Sequence, residues 1–337
     1  MVQNSAFGID LGTSNIKIYS LADDTVTIEK NMIAIENKKN IFAYGNSAYE
    51  MYEKAPANIQ ISHPLSNGVI ADINNMERLV KFFITDISKG NPKPSDFYIA
   101  VPTDITEVEK RAFYDLIKEA GVKAKKIMVV EKAVADGLGM DIDVKNSQGV
   151  LVVDIGYDTT EVSILSLGGI VLSRLIKTGG LKFDEAIRQA VRKEFNLLIG
   201  QKTAETIKKS LGSLEKEGKG AVVYGRDIVV GLPVEREIPT DLINRCLEEH
   251  FNTIIDSIKV ILERTPPELG ADIFRHGIYL TGGASSVSHF SELVQQATGL
   301  KVNHAQRPVE SVVLGLARVL KEDAYKSVAY AIEGMGK

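Results

Sequence analysis

The sequence predicts an α/β fold in two lobes, each headed by a copy of one unit. Three observations carry this expectation. Short apolar runs of strand length alternate with longer amphipathic segments of helical period. At 337 residues the chain exceeds what a single small core accommodates. The segment 7–18, Phe-Gly-Ile-Asp-Leu-Gly-Thr-Ser-Asn-Ile-Lys-Ile, is echoed at 151–162 by Leu-Val-Val-Asp-Ile-Gly-Tyr-Asp-Thr-Thr-Glu-Val. Both copies read as an apolar strand, an Asp, an apolar residue, a Gly, a polar turn and a second strand. Asp10 therefore matches Asp154, and Gly12 matches Gly156. The polar stretch Asp141 to Gln148 separates the halves.

The remaining elements follow in chain order. Residues 26–50 read as a strand hairpin around Asn37-Lys38-Lys39-Asn40 with a short helix after it. Val101 to Gly121 reads as a helix. Thr106 and Glu109 have capping-box spacing, Gly121 sits where a C-terminal cap belongs, and Val108, Ala112, Leu116 and Ala120 recur every four residues. A further helix starts near Thr203, a residue type suited to the N-cap. Residues 221–238 read as short strands broken at Gly225 and at Gly231-Leu232-Pro233. A long helix runs from about Asp241 to Arg264 and stops before Pro266-Pro267. The tail, Val312 to Met335, reads as helical; the stripe Ala324, Tyr325, Val328, Ala329 and Ile332 is expected to pack on the first lobe, the alternative being a weak apolar face for a membrane.

Composition narrows the class. Apolar residues make up 44% and charged residues 25%, the balance of a soluble globular chain. The net charge of -4 comes without a basic block, so no nucleic-acid partner is expected. The single thiol, Cys246, allows neither an internal disulfide nor a cysteine metal cluster and fits a reducing cytoplasm. Met1 to Ser5 lacks the basic and apolar regions of a signal peptide, and no apolar run approaches the ~20 residues of a membrane span.

The Asp-Gly turns are where chemistry is expected. An Asp at the end of a buried strand, beside a tight glycine turn, faces the crevice beyond the strand's carboxyl end. Small residues there let backbone N–H groups approach phosphate oxygens. The Asp itself repels phosphate but suits a hydrated Mg²⁺. Two such turns facing one cleft make a clamp for a triphosphate. The plainer alternative is a pair of ordinary hairpins. Three weaker signals accompany them. Ile278 to Ser285 is a strand that ends in Gly282-Gly283 and can lie against a flat base. Glu205 and Lys208 share a helix face, as a ribose contact or as a solvated ion pair. Glu131 ends the apolar strand Ile127 to Val130, placed to orient a water or simply to begin a helix.

At these residues the chain resembles a known fold. The Asp-Leu-Gly-Thr, Asp-Ile-Gly and Thr-Gly-Gly turns look like those of the actin, sugar-kinase and heat-shock-chaperone ATPases. Longer stretches are similar to the MreB family, among them His63-Pro64-Leu65, Ile105 to Ala112, Ser166 to Val171, Asn196 to Gly200, Gly231-Leu232-Pro233 and Thr265 to Leu269. The resemblance implies an actin-like (ribonuclease H-like, duplicated) ATPase fold, each lobe a mixed sheet flanked by helices with a small inserted subdomain. The expected limits are 1–32, 63–142 and 318–337 for the first core and 33–62 for its insertion. Those of the second lobe are 143–180 and 245–317 for the core and 181–244 for the insertion.

The resemblance also implies a site for ATP or ADP with Mg²⁺. Gly12, Thr13 and Ser14 fall on the first phosphate turn, and Gly156, Tyr157 and Asp158 on the second. Asp10 and Asp154 fall on the metal carboxylates. Glu205, Thr206, Ile207 and Lys208 fall on the nucleoside contact, and Gly282, Gly283, Ala284 and Ser285 on the adenine side. Glu131 and Thr159 fall on the pair that positions the hydrolytic water. Three departures stand out. Tyr157 and Asp158 replace two glycines of the family's second turn, which bears on the hydrolysis rate and points to a slow ATPase. Lys132 stands where the family has Pro. Lys17 is atypical and is expected either to reach the phosphates or to point outward.

By the same resemblance the chain forms paired head-to-tail filaments with itself, organises the cell-wall elongation machinery and helps set cell shape. Its expected place is the cytoplasm, at most touching the inner face of the cell membrane. The N-terminus is too short for an anchoring helix, and the loop Lys89 to Asp96 is polar. A segregation filament of the same fold, a small-molecule kinase and a chaperone remain as alternatives. The kinase lacks a second-substrate motif, and the chaperone lacks a substrate domain.

Overall fold

A computed structural model of the chain describes residues 5–211, 220–287 and 289–332. The first half contains β1 (Ala6–Leu11), β2 (Asn15–Ser20), β3 (Thr25–Lys30), β4 (Ile33–Glu36), β5 (Asn40–Tyr44), α1 (Gly45–Met51) and β6 (Ile59–Ser62). It continues with the short ribbon β7 (Leu65–Ser66) and β8 (Val69–Ile70), then α2 (Ile73–Ile87), β9 (Ser95–Val101), α3 (Glu107–Glu119), β10 (Ala124–Glu131) and α4 (Lys132–Gly139). The second half begins β11 (Val150–Ile155), β12 (Thr160–Ser166), β13 (Gly169–Ile176), α5 (Gly180–Phe195), β14 (Leu197–Leu198) and α6 (Gln201–Leu211). It ends β15 (Ala221–Asp227), β16 (Pro233–Ile238), α7 (Thr240–Arg264), α8 (Pro267–His276), β17 (Ile278–Thr281), α9 (Phe290–Thr298), β18 (Val302–His304), α10 (Ser311–Lys321) and a 3₁₀ turn, Asp323–Val328.

The echo in the sequence extends to the topology. The two main sheets have the orders β3-β2-β1-β9-β10 and β13-β12-β11-β17-β18. In each, an antiparallel hairpin carries a third antiparallel strand on one side. On the other side its first strand pairs in parallel with a strand from later in the chain. β1 and β11 are buried along their whole length, as central strands covered on both faces must be. Their Asp residues therefore sit at the carboxyl end of the two most buried strands. Small three-stranded sheets, β5-β4-β6 and β14-β15-β16, stand beside the two main ones.

Apolar side chains collect in three large clusters. One lies under α2 and α3 around Phe97, Phe113 and Leu116, and one under α7 around Phe183, Phe251 and Ile258. The third joins the lobes, with α4 and α10 packed between Tyr98 and Val130 of the first sheet and Val152 and Leu165 of the second. α4 and α10 meet almost backbone to backbone. A Cβ on Gly315 would lie 1.8 Å from the carbonyl oxygen of Ala135, so only glycine permits this crossing. α10 starts at Ser311 and runs along α4, β1 and β9, so the helix continues through the expected 317/318 limit.

Several local expectations change. β9 extends to Val101, and α3 starts only at Glu107, although Thr106 and Glu109 do form both halves of the capping box. Val108 is 80% exposed, while Leu116 and Ala120 are buried as expected and Phe113 and Ile117 complete the buried face. The four-residue count drifted off the true stripe because a helix turns every 3.6 residues. Gly225 does not break β15, which pairs with β16 from Ala221 to Arg226. In the tail, helix ends at Lys321. Tyr330 then forms an antiparallel bridge with Val129, which binds the chain's end to the first sheet. The expected helical segment beyond Ile332 lies outside the described residues.

Candidate functional site

The two hairpin tips close in the same way. Gly12 N–H donates to the Asn15 carbonyl at 3.0 Å, and Gly156 N–H donates to the Thr159 carbonyl at 2.9 Å. Both tips face one cavity of about 470 Å³ between the lobes. Asp10, Gly12, Thr13, Ser14 and Lys17 line it from the first lobe, and Asp154, Gly156, Tyr157, Asp158 and Thr159 from the second. The third turn joins them through Gly282, Gly283 and Ala284. Gly282 has φ +87°, and a Cβ there would meet Asp154 Oδ1 at 2.1 Å, so glycine is required for the turn to lie against the second hairpin.

Other expected residues fall elsewhere. Thr206 is exposed and donates to the Lys202 carbonyl, and Ile207 is wholly buried in the second core. Ser285 does not line the cavity; its hydroxyl donates to the Gly282 carbonyl at 2.8 Å and stiffens the turn. Thr203 is not the N-cap of α6, which begins at Gln201. Glu53 of the first lobe accepts from Gln201 N–H at 3.0 and 2.9 Å through its two carboxylate oxygens, so the cap comes from across the cleft. Glu131 also stands outside the cavity lining. Its Oε1 accepts from Tyr330 Oη at 2.6 Å and faces Lys110 Nζ at 3.1 Å.

On the nucleoside side of the expected site, Glu205 and Lys208 do line the cavity, with Lys209 beside them. Glu205 pairs with Lys209 at 2.7 Å and accepts from Tyr49 Oη at 3.1 Å. Lys208 Nζ lies 2.7 Å from Asp184 Oδ1 and donates to the Gly180 carbonyl at 3.0 Å. Burial pushes the Asp184 carboxyl up to about 6, against the pull of Lys208. Lys30 also lines the cavity, and burial lowers its pKa.

The centre of the site holds two buried aspartates, each already paired. Lys17 Nζ is 2.6 Å from Asp10 Oδ2, so Lys17 faces the cavity and not solvent. Lys132 Nζ is 2.6 Å from Asp154 Oδ2. Burial alone would push the Lys132 ammonium down, but Asp154, Asp10, Asp136 and Glu161 together raise its pKa. Glu161 lies opposite Asp154 in the hairpin register, lines the cavity and accepts from Thr103 Oγ1. Burial pushes its carboxyl up to about 7.

This pairing bears on the expected metal. Asp10 and Asp154 are assigned to Mg²⁺ by resemblance, yet each has its counter-charge from a lysine. Among the described residues no group of three or more His, Cys, Asp or Glu is placed to hold a metal ion. Each aspartate carries a lysine ammonium at 2.6 Å where a directly ligated Mg²⁺ would have to sit, so the pair as placed does not fit direct ligation. For a polyphosphate the cavity offers Lys17, Lys30, Lys132, Lys208 and Lys209 beside the glycine turns, set against the carboxylates of Asp10, Asp154, Asp158, Glu161 and Glu205 in the same lining. Sequence reasoning noted Lys132 only as a departure and gave Glu161 no role. The hairpin register was the available signal, since Glu161 stands opposite Asp154 as Lys17 stands opposite Asp10.

Two mirrored sheets gripping one cleft between Asp-Gly hairpins define the actin-like class of α/β proteins. Solved structures agree. The chain superposes on MreB 5 of Spiroplasma citri bound to AMPPNP with a TM-score of 0.89 at 36% identity, covering 97% of this chain and 98% of that one. The fold is also that of the MamK double helical filament, with a TM-score of 0.80 at 21% identity over 95% of this chain and 99% of that one. Residues 4–327 match the family profile for MreB/Mbl protein, and the chain belongs to that family. It is 35% identical over 323 residues to the cell shape-determining protein MreB of Escherichia coli K12, covering 93% of this chain and 92% of the relative. It is likewise 35% identical over 317 residues to the cell shape-determining protein Mbl of Bacillus subtilis 168, covering 93% and 95%.

Proposed function

We propose that this chain binds an adenine nucleotide between its lobes, assembles with copies of itself into filaments, and serves in determining cell shape. The observation that carries the reading is the convergence of Asp10 and Asp154, with their glycine turns, on a single interlobe cavity. In this reading the turns at Gly12 to Ser14 and Gly156 to Asp158 meet the phosphates. Glu205 and Lys208 meet the ribose side, and Gly282 to Ala284 the base. The relatives support it: Spiroplasma citri MreB5 is known bound to AMPPNP and to ADP, and the bacterial relatives are named for cell shape.

Hydrolysis in this reading is slow. Thr159 lines the cavity, but Glu131 is held by Lys110 and Tyr330 and must leave them to orient a water. Asp158 adds negative charge beside the phosphates. Work on the cell-wall elongation machinery, and any contact with the inner face of the cell membrane, are part of the proposal. Among the described residues no helix is long and apolar enough to cross a membrane.

Self-association has a candidate surface at the turn between β15 and β16. There Val229 is 75%, Val230 63% and Leu232 62% exposed, an apolar tip at the end of a hairpin. A head-to-tail contact that does not close a ring propagates as a filament. Sedimentation with electron microscopy, with ATP, with ADP and without nucleotide, and with and without liposomes, tests the reading. Nucleotide-dependent pelleting of filaments is expected, and Val229→Asp should abolish it. A chain that stays in the supernatant under every condition refutes assembly.

A further inference from the structure

The two hairpins differ at one mirrored position. Asp10 stands across from Lys17 in the first, and Asp154 stands across from Glu161 in the second. Facing residues of an antiparallel pair lie about 5 Å apart, so the second hairpin sets two acids side by side where the first sets an acid and a cation. The missing cation comes from the other lobe. Lys132, the first residue of α4, reaches across and places its ammonium 2.6 Å from Asp154 Oδ2, the same separation that Lys17 keeps from Asp10. α4 is locked between the sheets by α10, which fixes where this side chain starts. Both lysines also line the cavity. An ammonium has three donors, so each can hold its aspartate and still offer N–H groups to a phosphate.

We propose that Lys132 and Lys17 serve here as built-in cations in place of a divalent ion, so that nucleotide binding by this chain is largely independent of Mg²⁺. The inference rests on the nucleotide reading above. Its physical basis is competition for the same oxygens. A metal ion entering between Asp10 and Asp154 must displace two ammonium groups or stand beside them against their charge. The lysines already supply what the ion would: neutralisation of the carboxylates and a bridge from protein to phosphate.

The test is a calorimetric titration of the full chain with ATP, in Mg²⁺ and in EDTA. The expected loss of affinity on removing Mg²⁺ is less than about tenfold. Lys132→Met, which keeps the stem and removes the charge, should bind in Mg²⁺ but lose about tenfold or more in EDTA. Lys132→Arg should behave as wild type. Circular dichroism checks that the variants fold, and Lys132→Met/Glu161→Gln relieves the repulsion that the single variant leaves. Wild-type binding that collapses in EDTA overturns the proposal and leaves the nucleotide reading intact. Binding by Lys132→Met that is as metal-independent as wild type also overturns it. Absence of ATP binding in both conditions overturns the nucleotide reading and this proposal together.

Discussion

Glu161 is the residue where the site's electrostatics is most exposed to measurement. Its folded pKa of about 7 stands above its ordinary value of 4.5. The folded chain therefore keeps a proton that the unfolded chain releases between those values. The contribution to stability is complete below about pH 4.5 and is lost as pH rises through 7, to the extent of about 3 kcal/mol. Urea denaturation of Glu161→Gln against wild type should show the variant gaining relative stability from pH 5 to 8. A difference that does not change with pH excludes this role. Glu131 gives a second test. Its hydrogen bond from Tyr330, made to a charged carboxylate, is worth about 2 kcal/mol, so Tyr330→Phe should speed single-turnover phosphate release by up to about thirtyfold. An unchanged or slower rate would show that the tail does not restrain Glu131. Neither partner was legible in the sequence. Tyr330 and Glu131 are brought together only because the chain's end returns to β10.

Among the elements, α4 and α10 decide how the lobes are joined. The Gly315–Ala135 approach leaves no room for a side chain, so Gly315→Ala must part the helices and should cost about 2 kcal/mol or more of unfolding free energy, read as a lowered denaturation midpoint. A midpoint like that of wild type would mean the crossing relaxes freely. This element was half legible. The apolar stripe of the tail was readable from its period, but the partner helix was not, since helical period reports which face is buried and not what buries it. α3 shows the converse. Its capping box was visible as Thr106 and Glu109, because a cap is a contact between near neighbours in the chain. α6 lacked such a signal because Glu53 supplies its cap from the opposite lobe.

Across the whole molecule, the cleft is also spanned by polar contacts that run from α1 and the two residues after it to α6. Tyr49 donates to Glu205, Tyr52 donates to Gln201 Oε1 at 3.1 Å, and Glu53 caps α6. These bonds favour the arrangement in which both lobes surround the cavity. Removing them shifts the population toward a separated one. Tyr49→Phe/Glu53→Gln should therefore release a fluorescent nucleotide several-fold faster, with stopped-flow displacement as the measure. A release rate equal to wild type would assign nucleotide retention to the turns alone.

By itself the sequence determined the duplicated unit, the α/β class and the place of Asp10 and Asp154 near the carboxyl ends of two matching strands, because strand–turn patterns and glycine tips are local properties repeated in each half. The tertiary structure alone decided the counter-charges: Lys132 on Asp154, Tyr330 and Lys110 on Glu131, Glu53 on α6. Charge partners are chosen by distance in space, and the crossovers and interlobe packing that set those distances leave no periodicity along the chain.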